Sequence, residues 1–513
     1  MELQRVFTEI KWKKFYPVPL LFILFTFLGF VVPMLRSLGL PIPSLLSLPY
    51  VAELAAMLGL YSSQDLFVFM TWIVWWPAFI ISIFIFRRLW CGGFCPFGIA
   101  TDVGNWIREK VGVESVEVPS FLENKLQYLI FPGAAIFVVI GYLHDAINIT
   151  NSAILTAEFV VFFFLMSFAT GVLLPKRGFC RLLCFVGSLP RLFGRLAFMG
   201  LKTDTEKCMN CAGKWCMKGP DAPPPGISTE KRPLLGTDDG CPTNVDIPAL
   251  GSNESNRDCL DCGNCMKNCP YDAIHYTWTI PGDELVKGID LDLGETVGIL
   301  LILGILSMFA SMEGGLLGQA AQWLGLSSHW VISGIFTLAM TAAVFLLYCG
   351  ACYLTSRLFD ADFGRTSRIL GYGFLPFVFL AFARDIIVTY LIMGSKLSTL
   401  IPTAVIPFID STFIIVGAAW ALLMIVWLGR HLTEAGRMPT GRFIAGVSPL
   451  LVFVVLLAVY WITTLYPLHL TQLAGAGIAA YWPIAIGLAS GTIVVVALHK
   501  KYSGIAGVRL PFQ

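Results

Sequence analysis

Arg257-Asp258-Cys259-Leu260-Asp261-Cys262-Gly263-Asn264-Cys265-Met266-Lys267-Asn268-Cys269-Pro270 is the stretch that decides how this chain is read. Its C-x2-C-x2-C-x3-C-P spacing is a ferredoxin ligand string: the thiolates hold 4Fe-4S clusters, and in a two-cluster ferredoxin the last cysteine serves the other cluster. A second set must then lie upstream. Cys208, Cys211, Cys216 and Cys241-Pro242 supply it. The interleaving assigns Cys208, Cys211, Cys216 and Cys269 to one cluster, and Cys259, Cys262, Cys265 and Cys241 to the other. The x4 step from Cys211 to Cys216 and the Pro/Gly-rich insertion at 217–240 make Cys216 the ligand that departs most from the pattern. Zinc and disulfides are the alternatives. Eight interleaved cysteines with two Cys-Pro endings fit two clusters better than zinc, and disulfides require an oxidising compartment.

Around this domain the chain is strongly apolar, with 56% hydrophobic residues, 13% charged residues and a mean hydropathy of +0.75. Stretches long enough to cross about 30 Å of hydrocarbon occur near 15–35, 66–87, 126–143, 152–174, 294–311, 330–355, 370–393, 403–429, 446–467 and 478–498. The expected fold is therefore an all-α polytopic membrane protein of about ten transmembrane helices, with an inserted cytoplasmic two-cluster ferredoxin-like α+β domain. Its parts are a four-helix membrane domain (1–199), the cluster domain (200–292) and a six-helix membrane domain (293–513).

Lysine and arginine collect at one end of alternate spans, at Lys11 to Lys14, Arg87 and Arg88, Lys176 to Arg181, Arg357 to Arg368, Arg430 to Arg442, and Lys500 and Lys501. By the positive-inside rule these ends face the cytoplasm, which places both termini and the cluster domain there, in a bacterial or archaeal inner membrane. The run from Phe15 to Leu35 is too long for a signal-peptide core and reads as a retained helix. The net charge of +2 is explained by topology, and no basic patch suggests nucleic acid.

Two further cysteine pairs sit at inner helix ends: Arg88-Leu-Trp-Cys91-Gly-Gly-Phe-Cys95-Pro96 and Arg177-Gly-Phe-Cys180-Arg-Leu-Leu-Cys184-Phe185. They read as copies of one hairpin unit that would bring four thiols together beneath the membrane. A third metal or cluster site, a thiol redox relay and simple buried cysteines all remain open. The change from Pro96 to Phe185 is where the copies differ. Cys349 and Cys352 form a weak C-x2-C with no following histidine, better suited to helix packing than to haem attachment.

Within the last six spans, Arg384 and Asp385 fall near mid-helix and Asp410 enters the next span, where charge is costly and marks a pathway or a paired site. Helical rise puts Arg384 and Asp410 at similar depth, so a buried contact of Arg384 with Asp410 or Asp385 is expected. Pro376 and Pro407 are expected to interrupt these helices. Such a site would orient a quinol headgroup or take its protons, or merely join two helices. His144 (beside Asp145) and Glu158 are further proton-acceptor candidates, and His144, His329 and His469 are expected near the outer face. No haem is expected within the chain.

The motifs of the first 290 residues, from Arg88-Leu-Trp-Cys-Gly-Gly-Phe-Cys-Pro through Thr101-Asp102 and Asn105-Trp106-Ile-Arg108 to Arg257-Asp258-Cys259, resemble the NapH-type polyferredoxin membrane subunits of periplasmic nitrate respiration. The membrane half of the NosR-type regulators is related. The resemblance implies a quinol dehydrogenase that passes electrons through its clusters to a multihaem cytochrome or iron-sulfur protein serving an extracytoplasmic reductase. It also makes Cys91, Cys95, Cys180 and Cys184 candidates for redox function. The six-span extension is not part of the NapH type, and the extracytoplasmic flavin domain of the NosR type is missing. Two rivals stand beside this reading: electron flow from a cytoplasmic donor to quinone, with or without coupling to ions, and a maturation protein that reduces thiols or metal centres of an exported enzyme.

Overall fold

The computed structural model describes residues 75–116, 153–174, 177–209, 215–218, 240–243, 245–250, 256–269, 271–325, 329–388, 405–433, 439–472 and 481–506. Among these, the residues up to Gly282 form one compact unit and those from Asp283 a second. The spans expected at 15–35 and 126–143 lie outside the described residues.

In the first unit, α1 (Trp75–Phe86) is apolar on all sides and stops at Arg87, whose φ of 58° is left-handed. A non-glycine residue in that region costs roughly 1–2 kcal/mol, so the break is held by its surroundings. The Arg87 side chain supplies part of that hold: its Nε donates to the Met199 carbonyl at 2.8 Å. After a five-residue π-helical turn, Trp90–Phe94, the chain enters α2 (Pro96–Val111). The direction changes by 106° across the break. Pro96 begins α2 where a missing N–H costs nothing, and Gly112 ends it in the left-handed conformation that only glycine adopts freely.

Helix α3 (Ala153–Leu173) covers the expected fourth span and packs along α2. The approach is glycine-dependent on both sides. A Cβ on Gly104 would lie 2.5 Å from the Phe168 carbonyl oxygen, and one on Gly171 would overlap the Thr101 carbonyl. Small residues that let backbones touch are the means by which helices associate where no hydrophobic force separates them from lipid. A short helix, Gly178–Leu182, then leads to α4 (Phe185–Phe193).

Two strands close this unit. β1 (Met199–Thr203) pairs antiparallel with β2 (Ile274–Trp278), in register from Met199 opposite Trp278 to Thr203 opposite Ile274. Met199, Leu201, Val245, Ile247, Leu250, Ile274 and Tyr276 form a small apolar core beneath the pair. The cysteine-bearing segments between the strands are packed into that same core.

The second unit is helical. Leu293–Glu313, Val331–Phe359, Phe363–Val388, Ile406–Leu432, Thr440–Leu465 and Trp482–Gly504 are each long and apolar enough to cross a membrane, one for each span expected here. Leu293–Glu313 and Phe363–Val388 are interior, with 78% and 83% of an apolar 18-residue stretch buried, while Val331–Phe359 and Trp482–Gly504 are peripheral, with 22% and 17% of such a stretch buried. The exposed aliphatic residues of the peripheral pair, such as Leu338, Leu346, Ile493 and Val496, are apolar side chains suited to hydrocarbon.

Pro376 follows a 3-10 segment, Tyr372–Phe374, that interrupts the α-helix within the Phe363–Val388 span, as expected, with the Leu375 N–H donating to the Tyr372 carbonyl. The expectation for Pro407 is corrected: it stands in the first turn of Ile406–Gly429, where proline removes no intrahelical hydrogen bond, so it frees no carbonyl in mid-span.

Gly171→Val should destabilise the solubilised chain by about 1–3 kcal/mol through overpacking against Thr101. Gly318→Ala, where an added Cβ meets nothing within 4 Å, should leave the thermal unfolding midpoint of the same preparation almost unchanged.

Candidate metal centre

The ligand string is held by local backbone geometry. Asn256–Asp258 forms a 3-10 turn, Asn264–Lys267 a single helical turn, and between them Asp261 (φ 53°) and Gly263 (φ 77°) are left-handed. Alternating hands of this kind turn successive N–H groups to one side, the concave arrangement found around iron-sulfur sites. The Asp261 N–H points at Cys259 Sγ (3.4 Å), and the Ala273 N–H points at Cys269 Sγ (3.3 Å).

Cys265 lies within electrostatic reach of Cys262, Cys241 and Cys216, and Cys259 within reach of Cys265 and Cys262. Cys216, Cys241, Cys259, Cys265 and Cys269 also share the core beneath the strands. Cys208 ends the Thr205–Met209 helix and is half-buried, and Cys211 lies outside the described residues. Burial pushes the Cys262 thiol up to about 11 despite the Arg177 guanidinium, and holds Cys259 and Cys265 well above the usual thiol range. Burial likewise pushes the Asp261 carboxyl up to about 6.

The donor chemistry fits an iron-sulfur group. The Cys216, Cys241, Cys259 and Cys265 thiols are buried, so a proton or a metal must neutralise each of them, and a bound cluster would take the place of the protons. Among the described residues no three His, Cys, Asp or Glu side chains converge on a single ion position.

The two C-x3-C segments meet in the same unit. Arg177 reaches from one segment to the other: its Nε and Nη2 donate to the Asp102 carboxylate at 2.9 and 2.6 Å, and its Nη1 donates to the Cys91 carbonyl at 2.9 Å. Cys95 lies within reach of Cys91 and Cys180, and Cys184 within reach of all three. The second cysteine of each pair does the same structural work. Cys95 and Cys184 are the N-caps of α2 and α4, both in extended backbone, and Cys184 Sγ accepts the Gly187 N–H at 3.2 Å. Sulfur at a helix N-terminus is where a thiolate is favoured. Phe185 takes the place of Pro96 at the first helical position, and the Cys95 side chain makes no cap bond of the kind Cys184 makes.

The π-helical turn that carries Cys91 is pressed against the ferredoxin ligand loop. A Cβ on Gly92 would overlap the Leu260 carbonyl oxygen and lie 2.8 Å from the Cys262 nitrogen. The Arg88 N–H donates to Asp261 Oδ2 at 3.0 Å, Arg88 Nη1 approaches the Arg257 carbonyl at 3.4 Å, and Arg191 pairs with Asp258 at 2.9 Å. Burial pushes the Asp258 carboxyl up, but Arg191, Arg257 and Arg88 outweigh it and hold it below the usual range.

In the second unit Arg384 is gripped by acids from three helices. Asp410 accepts from its Nε and Nη2 at 2.6 and 3.1 Å, while Glu313 stands 2.7 Å and Asp385 3.8 Å from its Nη1. Arg384 and Asp410 are almost fully enclosed. Glu313 escaped the sequence reading because the apolar run was ended at 311, two residues short of it. Asp102 entered that reading only as part of the motif that carries the resemblance, and Asp261 as an ordinary polar residue between cysteines. Glu158 falls on α3, and His144 lies outside the described residues. Cys352 is buried with Tyr348 while Cys349 is exposed, and both are free thiols.

Two families, each described as a 4Fe-4S binding domain, match the chain, one over residues 68–114 and 156–202 and the other over 255–275. The first match covers both C-x3-C segments and the second covers the ligand string. With its apolar helices, this makes the chain an iron-sulfur, ferredoxin-type membrane protein of electron transport. Its cluster-bearing half is similar to the NapH-type polyferredoxins. The ferredoxin-type protein NapH of Escherichia coli is 25% identical over 195 residues, 37% of this chain and 62% of that protein. The methylamine utilization ferredoxin-type protein MauN of Methylorubrum extorquens is 26% identical over 178 residues, 31% of this chain and 60% of that protein. The chain thus spans about three fifths of the length of these relatives. No solved structure matches it.

Arg384→Ala should cost about 3–5 kcal/mol, because it leaves Asp410 buried without a counter-charge. Arg384→Met combined with Asp410→Leu should recover part of that loss in chemical denaturation of the solubilised chain.

Proposed function

We propose that the chain is a membrane quinol dehydrogenase subunit, passing electrons between the quinone pool and a redox partner through two 4Fe-4S clusters. Cys208, Cys211, Cys216 and Cys269 would hold one cluster, and Cys259, Cys262, Cys265 and Cys241 the other. When bound, each cluster supplies one-electron redox chemistry, which suits a two-electron quinol with two acceptors. The observation that carries this reading is the seating of the Leu260–Cys262 ligand loop on the broken end of an apolar helix, backbone against backbone at Gly92.

The residues around that seat hold it still. Arg88 and Arg191 tie the loop to the helix ends through Asp261 and Asp258. Enclosure keeps water from the thiols. A multihaem cytochrome or iron-sulfur protein is the partner class, since a centre at one membrane face cannot reach across about 30 Å of hydrocarbon unaided.

The buried Arg384 group favours a second reading of the six-helix unit. Three carboxylates around one guanidinium carry net negative charge if all are ionised, and in an enclosed site such charge favours a proton or a cation. Electron flow from a cytoplasmic donor to quinone, coupled to ion movement, would use such a site. Quinol oxidation would use it to receive protons.

Purified full-length protein, mixed anaerobically with a quinol analogue and followed by electron paramagnetic resonance, should develop reduced-cluster signals. A chain that stays oxidised with quinol but is reduced at once by a low-potential cytoplasmic donor would reverse the direction proposed here.

A further inference from the structure

We propose that Cys91, Cys95, Cys180 and Cys184 together hold one iron-sulfur centre, shared by the two C-x3-C segments, and that its direct redox neighbour is the cluster held by Cys241, Cys259, Cys262 and Cys265. This deepens the electron-transfer reading above and rests on it. The family matches describe iron-sulfur binding for the segments. The pairing of both segments in one centre, and the identity of its neighbour, come from the geometry.

Three observations carry the shared centre. Arg177 is fixed by Asp102 and bonded to the Cys91 carbonyl, so the two segments are locked face to face by one guanidinium. Cys95 and Cys184 have equivalent N-cap positions on α2 and α4, which is the arrangement of two half-sites around one group. Arg88 lies beside Cys91 and Cys180, and Arg177 beside Cys180, so two guanidiniums stand ready to offset the negative charge of a thiolate-bound cluster. A cube with one thiolate per iron uses all four sulfurs and leaves no ligand over.

The neighbour is set by contact. The residue after Cys91 is Gly92, and a side chain there would overlap the Leu260 carbonyl and crowd Cys262. Arg88, three residues before Cys91, donates its N–H to Asp261, and the Asp261 N–H in turn approaches Cys259 Sγ. Arg177 lies within electrostatic reach of both Cys180 and Cys262. The exchange between the two centres is a single electron. One centre is oxidised and the other reduced by one unit, no bond to the protein is made or broken, and the quinol remains the source of electrons.

The test counts iron and acid-labile sulfide in the full-length chain by chemical assay and Mössbauer spectroscopy. Wild type should contain about twelve of each, and Cys91→Ser combined with Cys184→Ser about eight, because one four-iron centre is lost. Ferredoxin-type resonance signals retained in that variant show that it has folded. Gly92→Ala should keep about twelve irons but diminish the spin–spin splitting between reduced centres, since the added methyl forces the Cys262 loop away. About eight irons in both wild type and the double variant, with the four cysteines found as free thiols, as a disulfide or bound to zinc, would overturn the shared centre and leave the two-cluster reading standing. A wild-type chain without iron would overturn both. Unchanged splitting in Gly92→Ala would overturn the assignment of the neighbour.

Discussion

The Arg177–Asp102 pair is the constraint on which the first unit depends. A bidentate guanidinium-carboxylate bond fixes direction as well as distance, and this one is buried, so little water competes for either partner. By spending its remaining donor on the Cys91 carbonyl, Arg177 ties the start of the second C-x3-C segment to the middle of the first. With that tie in place, the sharp break after α1 becomes a platform. The π-helical turn presents bare backbone at Gly92, Arg88 offers its N–H to Asp261, and the ligand loop lies down on both. Lysine would serve poorly in place of Arg177, since an ammonium cannot bond two carboxylate oxygens and a carbonyl in one plane.

How much of this was legible in the sequence depends on the kind of signal. Cysteine spacing is short-range and chemical, so the ligand strings can be read directly. The six apolar runs after residue 293 are equally plain, because hydrocarbon thickness fixes their length. The Arg384–Asp410 contact follows from helical rise, since two charges at one depth in neighbouring helices have little else to pair with. The platform was not legible. A left-handed arginine at 87 and a π-helical turn over Trp90–Phe94 leave no periodicity behind, and Gly92 looks like any glycine between cysteines. Glu313 was lost to a boundary error of two residues, the usual weakness of reading helix ends from hydropathy. The proline at 407 misled because proline at a helix start and proline within a helix are identical letters.

The two units solve opposite electrostatic problems. In the first, several buried arginines surround thiols, an arrangement suited to a negatively charged group that arrives after synthesis. In the second, one buried arginine faces three carboxylates, an arrangement suited to a positive charge. Neither is a means to stability, because a hydrophobic substitute of similar volume would hold the helices at least as well.

Because Arg177 and Cys91 are 86 positions apart, the two C-x3-C segments cannot meet while the chain is half made. At roughly 5–20 residues per second on the ribosome, the first pair of sulfurs waits about 4–17 s for the second. Throughout that interval it is a dithiol open to oxidation or to a stray metal. The nascent protein is thus most vulnerable before its second hairpin emerges, and shielding by the translocation machinery would matter most during those seconds.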